Sequence, residues 1–333
     1  MRTVDWVDGA VVIIDQTALP AQERYLNLCT VDEVVEAIAR LAVRGAPAIG
    51  VAGAFGVALA ARSLSADQPA LAAAIGRLEA ARPTAVNLAR GVRLAAAAVP
   101  DGPDAVLAAA LALRDAEIAS SAAMAERGAD LVSELCGPRP RLLTHCNTGG
   151  LATVTGGTAL GVVVELHRRG RLGAVIASET RPLLQGARLT TWELGQLGIP
   201  HRVAVDGAGP FLMARGEVDA VIIGADRICA NGDVVNKVGS YAHALGARAA
   251  GIPFLVVAPE STVDEATAAG DHVPIEDRDP AEVLGFAGVP VAPAGSGAVN
   301  PAFDVTPHTL VTAIVTDRRV IRPTPVTRAD APQ

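Results

Sequence analysis

The chain has 333 residues and a net charge of −7, with half of its residues hydrophobic and only 3% aromatic. This length allows about two domains, and the core must consist mainly of Ala, Val, Leu and Ile, as in parallel sheets covered by helices. The acidic balance argues against a nucleic-acid partner, because binding one requires a basic face that neutralises phosphates.

The cysteines and the apolar stretches indicate a cytoplasmic protein. Cys29, Cys136, Cys146 and Cys229 show neither the CxxC spacing of a zinc ribbon nor the density of a disulfide scaffold. The N-terminus lacks the pattern of a signal peptide. The most apolar stretch, residues 50–61, is shorter than the roughly 20 residues that span a bilayer. We therefore expect reduced thiols, a buried helix at this stretch and no membrane partner.

The first part of the chain has the pattern of a mainly helical domain. Residues 10–15 predict one strand of a small hairpin. Beyond Val31, apolar residues recur with a helical period and are interrupted by Gly, Pro and Asp. We place a mainly helical N-terminal domain with a short β element at residues 1–125. Its predicted helices cover residues 31–43, 47–64, 69–82, 84–99 and 103–135.

After Pro140 the pattern changes to short β-branched runs that alternate with helical segments. Such βαβ units predict a parallel sheet, so residues 126–333 should form a Rossmann-like, doubly wound α/β domain that ends in a polar tail after Arg322. Ligands of such sheets bind beyond the carboxyl ends of the strands. The predicted strands are 141–146, 173–178, 201–206, 219–226, 254–259 and 312–317.

Cys146 ends the first of these runs and is followed by a Gly- and Thr-rich turn. A thiol at a strand end near a helix N-terminus is favoured as the thiolate. Most free cysteines, however, are small buried hydrophobes. Position alone leaves both interpretations open.

Asp226 ends the run DAVIIGAD, and the segment after it supplies Asn236 and Lys237 where a helix is expected to begin. A carboxylate that ends an all-apolar strand should be partly desolvated, which suits proton transfer near neutral pH. The alternatives are a helix-capping aspartate and a solvated lysine on a helix surface.

The string RGAPAIG at 44–50 predicts a phosphate site, because a proline near the first helical position leaves free N–H groups beside Arg44. Arg82 precedes another helix start and is a second candidate, or else a surface charge. Farther on, the string ETRPLLQGARLT places Gln185 among polar side chains after a strand. These groups suit the hydroxyls of a sugar, or else a helix cap or a dimer interface.

The histidines show no metal-ligand spacing, and neither a P-loop nor a GxGxxG string is present. We expect no metal and no cofactor.

Eight strings resemble the methylthioribose-1-phosphate isomerase family, in the right order from about Val12 to Val320. They are DQTALP at 15–20, RGAPAIG at 44–50, RPTAVNL at 82–88, THCNTGGLAT at 144–153, GTALGV at 157–162, ETRPLLQGARLT at 179–190, GADRICANGDVVNKVGSY at 224–241 and NPAFDVTP at 300–307.

The resemblance implies an aldose–ketose isomerase of methionine salvage that acts on 5-methylthioribose 1-phosphate as a homodimer. It implies that Asp226 is the proton donor and that Cys146 stabilises the transition state. The substrate-binding positions that it implies are Arg44, Gly45, Ala46, Arg82, Gln185, Asn236 and Lys237.

Two segments depart from the family pattern, residues 89–91 and 154–157, where an aromatic continuation would be expected, and they bear on the shape of the pocket. Cys229 replaces a small residue and is interpreted as a packing variant. The same family includes ribose-1,5-bisphosphate isomerases and regulatory subunits of the translation-initiation exchange factor. The enzymatic alternative is therefore an isomerase of ribose 1,5-bisphosphate or of a related pentose 1-phosphate. The non-enzymatic alternative is a regulatory subunit, which would need neither Cys146 nor Asp226.

Overall fold

The computed structural model describes residues 2–82, 85–286 and 288–323. Pro83 and Thr84 of the RPTAVNL string, and residues 324–333 of the expected tail, lie outside this range. Contacts divide the chain into two units. The first contains the described residues up to Ala122 together with Asn147–Gly157, and the second contains Ala123–Cys146 together with the described residues from Thr158 onward.

The first unit packs helices against a three-stranded antiparallel sheet, in the order β1-β2-β3. The predicted strand at 10–15 is therefore the central strand of this sheet. A capping box starts helix α1, in which Thr30 accepts from the Glu33 N–H and Glu33 accepts from the Thr30 N–H. The elements are β1 (Val4–Val7), β2 (Ala10–Ile14), β3 (Tyr25–Leu28), α1 (Val31–Ala39), α2 (Ala46–Leu64), α3 (Gln68–Ala80), α4 (Val86–Ala96) and α5 (Pro103–Cys136).

Helix α2 is the core of this unit. Its length and apolar composition would suffice for a membrane span, but every residue from Ala48 to Ala61 is buried within the protein. Phe55 is fully buried there, in one core cluster with Val34, Leu78 and Leu88. The predicted buried helix at 50–61 is thus confirmed. Helix α5 is 34 residues long, and the division between the two units falls within it.

The second unit contains a seven-stranded sheet in the order β16-β15-β10-β7-β4-β5-β6. All of its neighbours are parallel except the β15–β16 pair. Smaller sheets combine β11-β8-β9-β14 and β12-β13. The strands are β4 (Arg141–Thr144), β5 (Ala174–Ser178), β6 (His201–Ala204), β7 (Ala220–Ile223), β8 (Arg227–Cys229), β9 (Val234–Lys237), β10 (Phe254–Val257), β11 (Val263–Asp264), β12 (Gly285–Phe286), β13 (Val289–Pro290), β14 (Phe303–Thr306), β15 (Ala313–Val315) and β16 (Val320–Ile321). The helices are α6 (Ala159–Arg168), α7 (Thr191–Gln196), α8 (Gly209–Ala214), α9 (Ser240–Ala250) and α10 (Ala281–Leu284).

Both faces of the large sheet are buried. Alternate strand residues belong to separate clusters, with Leu142 and Ile222 in one and Leu143 and Val221 in the other. Burial on both faces explains why the strands are continuous apolar runs rather than alternating ones. The predicted α/β fold with a doubly wound parallel sheet is confirmed.

The segment Asn147–Gly157 corrects the predicted division at residues 125/126, since it interrupts the second unit and joins the first. Its backbone is bound by side chains from the start of the chain. Thr3 Oγ1 donates to the Gly150 carbonyl at 2.8 Å, and Gln16 Nε2 donates to the Leu151 carbonyl at 2.7 Å. These long-range bonds, rather than local sequence, assign the segment to the first unit.

Candidate active site

The six parallel strands of the large sheet follow the order β6-β5-β4-β7-β10-β15, so the chain reverses direction across the sheet between β4 and β7. The crevice at such a reversal is where ligands of doubly wound sheets bind. Leu143 pairs with Val221 across this point. Cys146 follows the end of β4 and Asp226 follows the end of β7. The two predicted catalytic residues therefore leave adjacent strands at the same edge.

Cys146 is half-buried and has an unusual backbone conformation, with φ of 63°. Its N–H donates to Thr180 Oγ1 at 2.8 Å, and its carbonyl accepts from Thr190 Oγ1 at 2.7 Å. Helix α6 begins only at Ala159, after the segment that joins the first unit. An effect of a helix dipole on the thiol stays a prediction.

Asp226 lies between β7 and β8, where its N–H donates to the Val235 carbonyl at 3.0 Å. Its side chain is exposed in the second unit. The expected desolvation of this carboxylate is therefore wrong, because the strand ends at Ile223 and the chain has left the sheet core before residue 226. Nearby Cys229 is buried, which raises the pKa of its thiol to about 11, as suits a packing residue.

Asn236 and Lys237 lie on strand β9, and helix α9 begins only at Ser240. The predicted helix start at these residues is wrong. The string Asn231-Gly232 between β8 and β9 is a strong hairpin signal, and it would have predicted the strand. Asn236 Nδ2 donates to Ser240 Oγ at 2.8 Å, which fixes its amide.

Lys237 is a buried lysine that interacts with the other ionisable groups of the site. Only 6% of its surface is exposed, and this burial lowers the pKa of its ammonium group. Electrostatic interactions with Cys146 and Asp226 act in the opposite direction and raise that pKa. Since such interactions fall off with distance, Lys237 shares one electrostatic cluster with Cys146 and Asp226, to which Arg278 and Glu282 also belong.

Gln185 brings an amide to the segment that follows β5. It is 8% exposed, and its Oε1 atom is buried without a hydrogen-bond partner among the residues that the structure describes. It immediately precedes a π-helical turn, Gly186–Thr190, a feature often found at functional sites. A buried acceptor without a partner is costly to a fold and suits a ligand that donates a hydrogen bond.

The neighbours of Gln185 are mostly structural. Arg181 donates to the carbonyls of Pro182, Glu282 and Val283. Arg188 donates from Nε to the Leu183 carbonyl at 2.9 Å.

Sequence reasoning missed a buried histidine pair behind Cys146. His145 Nε2 donates to the Val238 carbonyl at 2.8 Å, so its Nδ1 accepts from His243 Nε2 at 3.3 Å. Burial lowers the pKa of His145 to about 4 and also lowers that of His243. Both rings are therefore neutral near pH 7.

Sequence reasoning also did not single out two carboxylates of this unit, Asp206 and Asp304. Asp206 ends the predicted run HRVAVD, so its position after β6 was the available signal. Asp304 accepts from the Gly239 N–H at 2.7 Å, at the start of α9. Burial raises the pKa of Asp304 to about 6, although hydrogen bonds from Gly239 and Tyr241 oppose that shift.

In the first unit, hydrogen bonds to neighbouring residues fix the side chain of Arg44. Its Nε donates to Gln16 Oε1 at 3.1 Å, and its NH2 donates to the Asn147 carbonyl at 3.0 Å and to the Asn147 side-chain oxygen. Gly45 has φ of 94°, and a Cβ there would lie 2.3 Å from the Ala152 carbonyl oxygen, so only glycine fits. The turn before α2 is thus built to place the guanidinium.

The other predicted positions of the first unit are Ala46, Arg82 and the two segments that depart from the family pattern. Ala46 starts α2, and proline follows within the first turn, as predicted. Arg82 is half-buried next to residues outside the described range. Residues 89–91 lie in α4, and Val154 is buried in the first unit's core. Roles of these positions in substrate binding stay predictions.

Within residues 2–82, 85–286 and 288–323, no cluster of three or more His, Cys, Asp or Glu side chains could hold a metal ion. The expectation that the protein needs no metal and no cofactor stays a prediction.

Comparison with known proteins adds three relatives and a family. Residues 42–323 match the model of the Initiation factor 2 subunit family. A probable bifunctional methylthioribose-1-phosphate isomerase/methylthioribulose-1-phosphate dehydratase of Nocardia farcinica is 53% identical over 97% of the chain, which spans only 60% of that longer relative. A 5-deoxyribose 1-phosphate isomerase of Moorella thermoacetica is 50% identical over 96% of the chain and 94% of its own length. The solved structure of 5-methylthioribose 1-phosphate isomerase from Pyrococcus horikoshii has a TM-score of 0.89 at 41% identity, covering 97% of the chain and 92% of that structure.

Proposed function

The chain belongs to the Initiation factor 2 subunit family, and we propose that it converts 5-methylthioribose 1-phosphate to 5-methylthioribulose 1-phosphate in methionine salvage. The observation that carries the proposal is the cluster of Cys146, Asp226 and Lys237 at the reversal point of the sheet. Relatives that are about half identical to the chain are named as isomerases. We therefore interpret the cluster as the site of an aldose–ketose isomerase. A regulatory subunit of an exchange factor would have no use for this combination of side chains.

The chemistry requires an opened ring and a hydrogen shift. The phosphate on the anomeric oxygen prevents easy ring opening, so an acid must protonate the ring oxygen as its bond to C1 breaks. We assign this proton transfer to Asp226. Hydrogen then moves from C2 to C1, either as a proton that Cys146 takes from C2 and delivers to C1, or as a hydride while Cys146 polarises the site. In both routes the C2 hydroxyl becomes the ketone and gives its proton to Asp226, which ring opening has left ionised. Lys237 stabilises negative charge in either route because its ammonium group is largely shielded from water.

A second candidate substrate is 5-deoxyribose 1-phosphate, favoured by the relative from Moorella thermoacetica. It differs from the methylthio sugar only in the group at C5. Ribose 1,5-bisphosphate is a weaker candidate, because it would need a second phosphate site at the far end of the sugar, whereas the methylthio group needs an apolar one.

One purified sample should be assayed with all three sugar phosphates, and ketose formation should be followed by NMR. We expect the highest kcat/KM with the methylthio sugar, followed by the deoxy sugar. A preference for the bisphosphate, or no turnover of any of the three, would contradict the proposal. Deuterium at C1 after the same reaction in D₂O would establish proton transfer, because a hydride shift cannot introduce it.

We further propose that the protein works as a cytoplasmic homodimer, as expected from the family resemblance. Light scattering at micromolar concentration should give twice the mass of the chain. A monomer under these conditions would contradict the proposed assembly without affecting the proposed reaction.

A further inference from the structure

The backbone of Cys146 is held in place by two threonine hydroxyls. A φ of 63° is rare for a residue with a side chain, so it persists only where the surroundings fix it. Thr180 Oγ1 accepts from the Cys146 N–H at 2.8 Å, and Thr190 Oγ1 donates to its carbonyl at 2.7 Å. Both peptide groups of the residue are therefore bound by side chains rather than by a neighbouring strand.

Thr180 is fixed in turn. It also has a left-handed conformation, with φ of 65°, and its hydroxyl donates to the Ser178 carbonyl at 3.0 Å. That hydroxyl uses its proton on Ser178 and a lone pair on Cys146, so its orientation is determined. The π-helical turn lies directly against this segment, since a Cβ on Gly186 would be 1.7 Å from the Ser178 oxygen.

Asp206 holds the segment from the adjacent strand. Its carboxylate accepts from the N–H of Thr180 at 2.8 Å, from the N–H of Arg181 at 2.6 Å and from Ser178 Oγ at 2.5 Å. Burial raises the pKa of Asp206, but these three hydrogen bonds outweigh burial, and the pKa lies below its ordinary value. An anion with three donors is a rigid anchor.

We propose that Asp206 and Thr180 are positioning residues for Cys146. Asp206 fixes the turn after β5, Thr180 fixes the peptide of Cys146, and the position of the thiol follows from both. Neither residue is assigned a contact with the substrate. The effect on turnover rests on the proposed function of Cys146, whereas the effect on the thiol itself does not.

The test uses the full chain with a matched set of substitutions. Thr180→Val removes the hydroxyl at nearly constant shape, and Thr180→Ser restores it. Asp206→Asn replaces an acceptor with a donor that opposes the backbone N–H groups. Thr312→Val is the control, because Thr312 Oγ1 likewise accepts from a backbone N–H, that of Phe254 at 3.0 Å, elsewhere in the same unit.

Two readouts are needed besides the melting temperature. The first is the separation of kcat from KM. The second is the rate of alkylation of Cys146 by iodoacetamide at pH 7, measured by mass spectrometry relative to the exposed Cys29 in the same molecule. Cys136 and Cys229 should react slowly, because burial raises the pKa of each thiol to about 11.

We expect Thr180→Val and Asp206→Asn to lower kcat by about 100-fold, the cost of a misplaced reacting group, with little change in KM. Alkylation of Cys146 relative to Cys29 should change several-fold, since the thiol leaves the position in which the two threonine hydroxyls hold it. Thr180→Ser should reverse most of both changes, and Thr312→Val should change neither.

Unchanged relative alkylation in folded Thr180→Val and Asp206→Asn would overturn the proposal, as would an unchanged kcat. A fall in melting temperature that accounts for the whole loss of activity would show a structural role instead. If the wild-type protein isomerises none of the sugar phosphates, the proposed function fails, and the alkylation ratios still decide whether Asp206 and Thr180 position the thiol.

Discussion

Leu143 on β4 and Val221 on β7 are direct partners in a parallel ladder. Because both strands run in the same direction, the residues that follow them, Cys146 and Asp226, leave the sheet at one edge. Both residues interact electrostatically with Lys237 on β9. The strand order of the sheet, rather than any local motif, therefore assembles the candidate active site.

The first prediction concerns Arg44 as the phosphate ligand. Arg44→Lys removes the planar guanidinium, whose charge-assisted hydrogen bonds to a phosphate an ammonium group cannot reproduce in geometry, so KM should rise by about 10- to 100-fold. The melting temperature should fall slightly, because the bonds of Arg44 to Gln16 and Asn147 are lost as well. Steady-state kinetics measure the effect. Arg77→Lys is the control, because Arg77 forms an exposed ion pair with Asp32 at 2.5 Å in the same unit. An unchanged KM in Arg44→Lys would show that the phosphate binds elsewhere.

The second prediction separates stability from binding at Gln185. Its Oε1 is buried without a partner among the described residues, so Gln185→Leu should leave the melting temperature equal or higher. Loss of one substrate hydrogen bond should raise KM by about tenfold. The exposed Gln196 provides the control substitution, Gln196→Leu. A lower melting temperature with unchanged KM would mean that the amide is structural.

The third prediction concerns stability at acidic pH. The pKa of His145 is lowered from 6.5 to about 4 by burial, so between these values the unfolded chain binds a proton that the folded chain does not. Stability should therefore fall as the pH falls from about 6.5 to about 4. His243 acts in the same direction, because its pKa is also lowered.

The comparison that tests this uses His243→Gln, which keeps a donor for His145 Nδ1 but does not titrate. Its melting temperature should fall less steeply with decreasing pH than that of the wild type, and His272→Gln, at an exposed histidine, should behave like the wild type. Asp304 changes the free energy of unfolding in the opposite direction. Its pKa is raised to about 6 in the folded protein, so the stability that it contributes is lost as the pH rises. This contribution cancels between variants. Identical slopes in His243→Gln and the wild type would refute the prediction.

The sequence predicted the large sheet well because its strands are buried on both faces and therefore read as apolar runs. It also predicted that Cys146 and Asp226 follow strand ends. Their convergence depended on strand order, which local patterns do not encode. Asp206 follows a strand in the same way, yet its role depends on the loop of Thr180, which only the folded structure brings to it.

Two expectations failed for identifiable physical reasons. Asn236 and Lys237 were assigned to a helix because the short strand β9 is followed at once by one. The segment Asn147–Gly157 was assigned to the wrong unit because its partners Thr3 and Gln16 lie more than a hundred residues earlier. Bonds of this range leave no periodic signal in the sequence.

The central claim is that Cys146 and Asp226 act at one catalytic site. It is tested most directly by the kcat of Cys146→Ser, Asp226→Asn and the double variant, with melting temperatures as the folding control. Each single substitution should lower kcat by about 100- to 10,000-fold with little loss of stability. The double variant should be scarcely slower than the slower single variant, because residues that act as one unit are not additive. Near-normal turnover in either single variant, or losses that multiply in the double variant, would contradict the shared site.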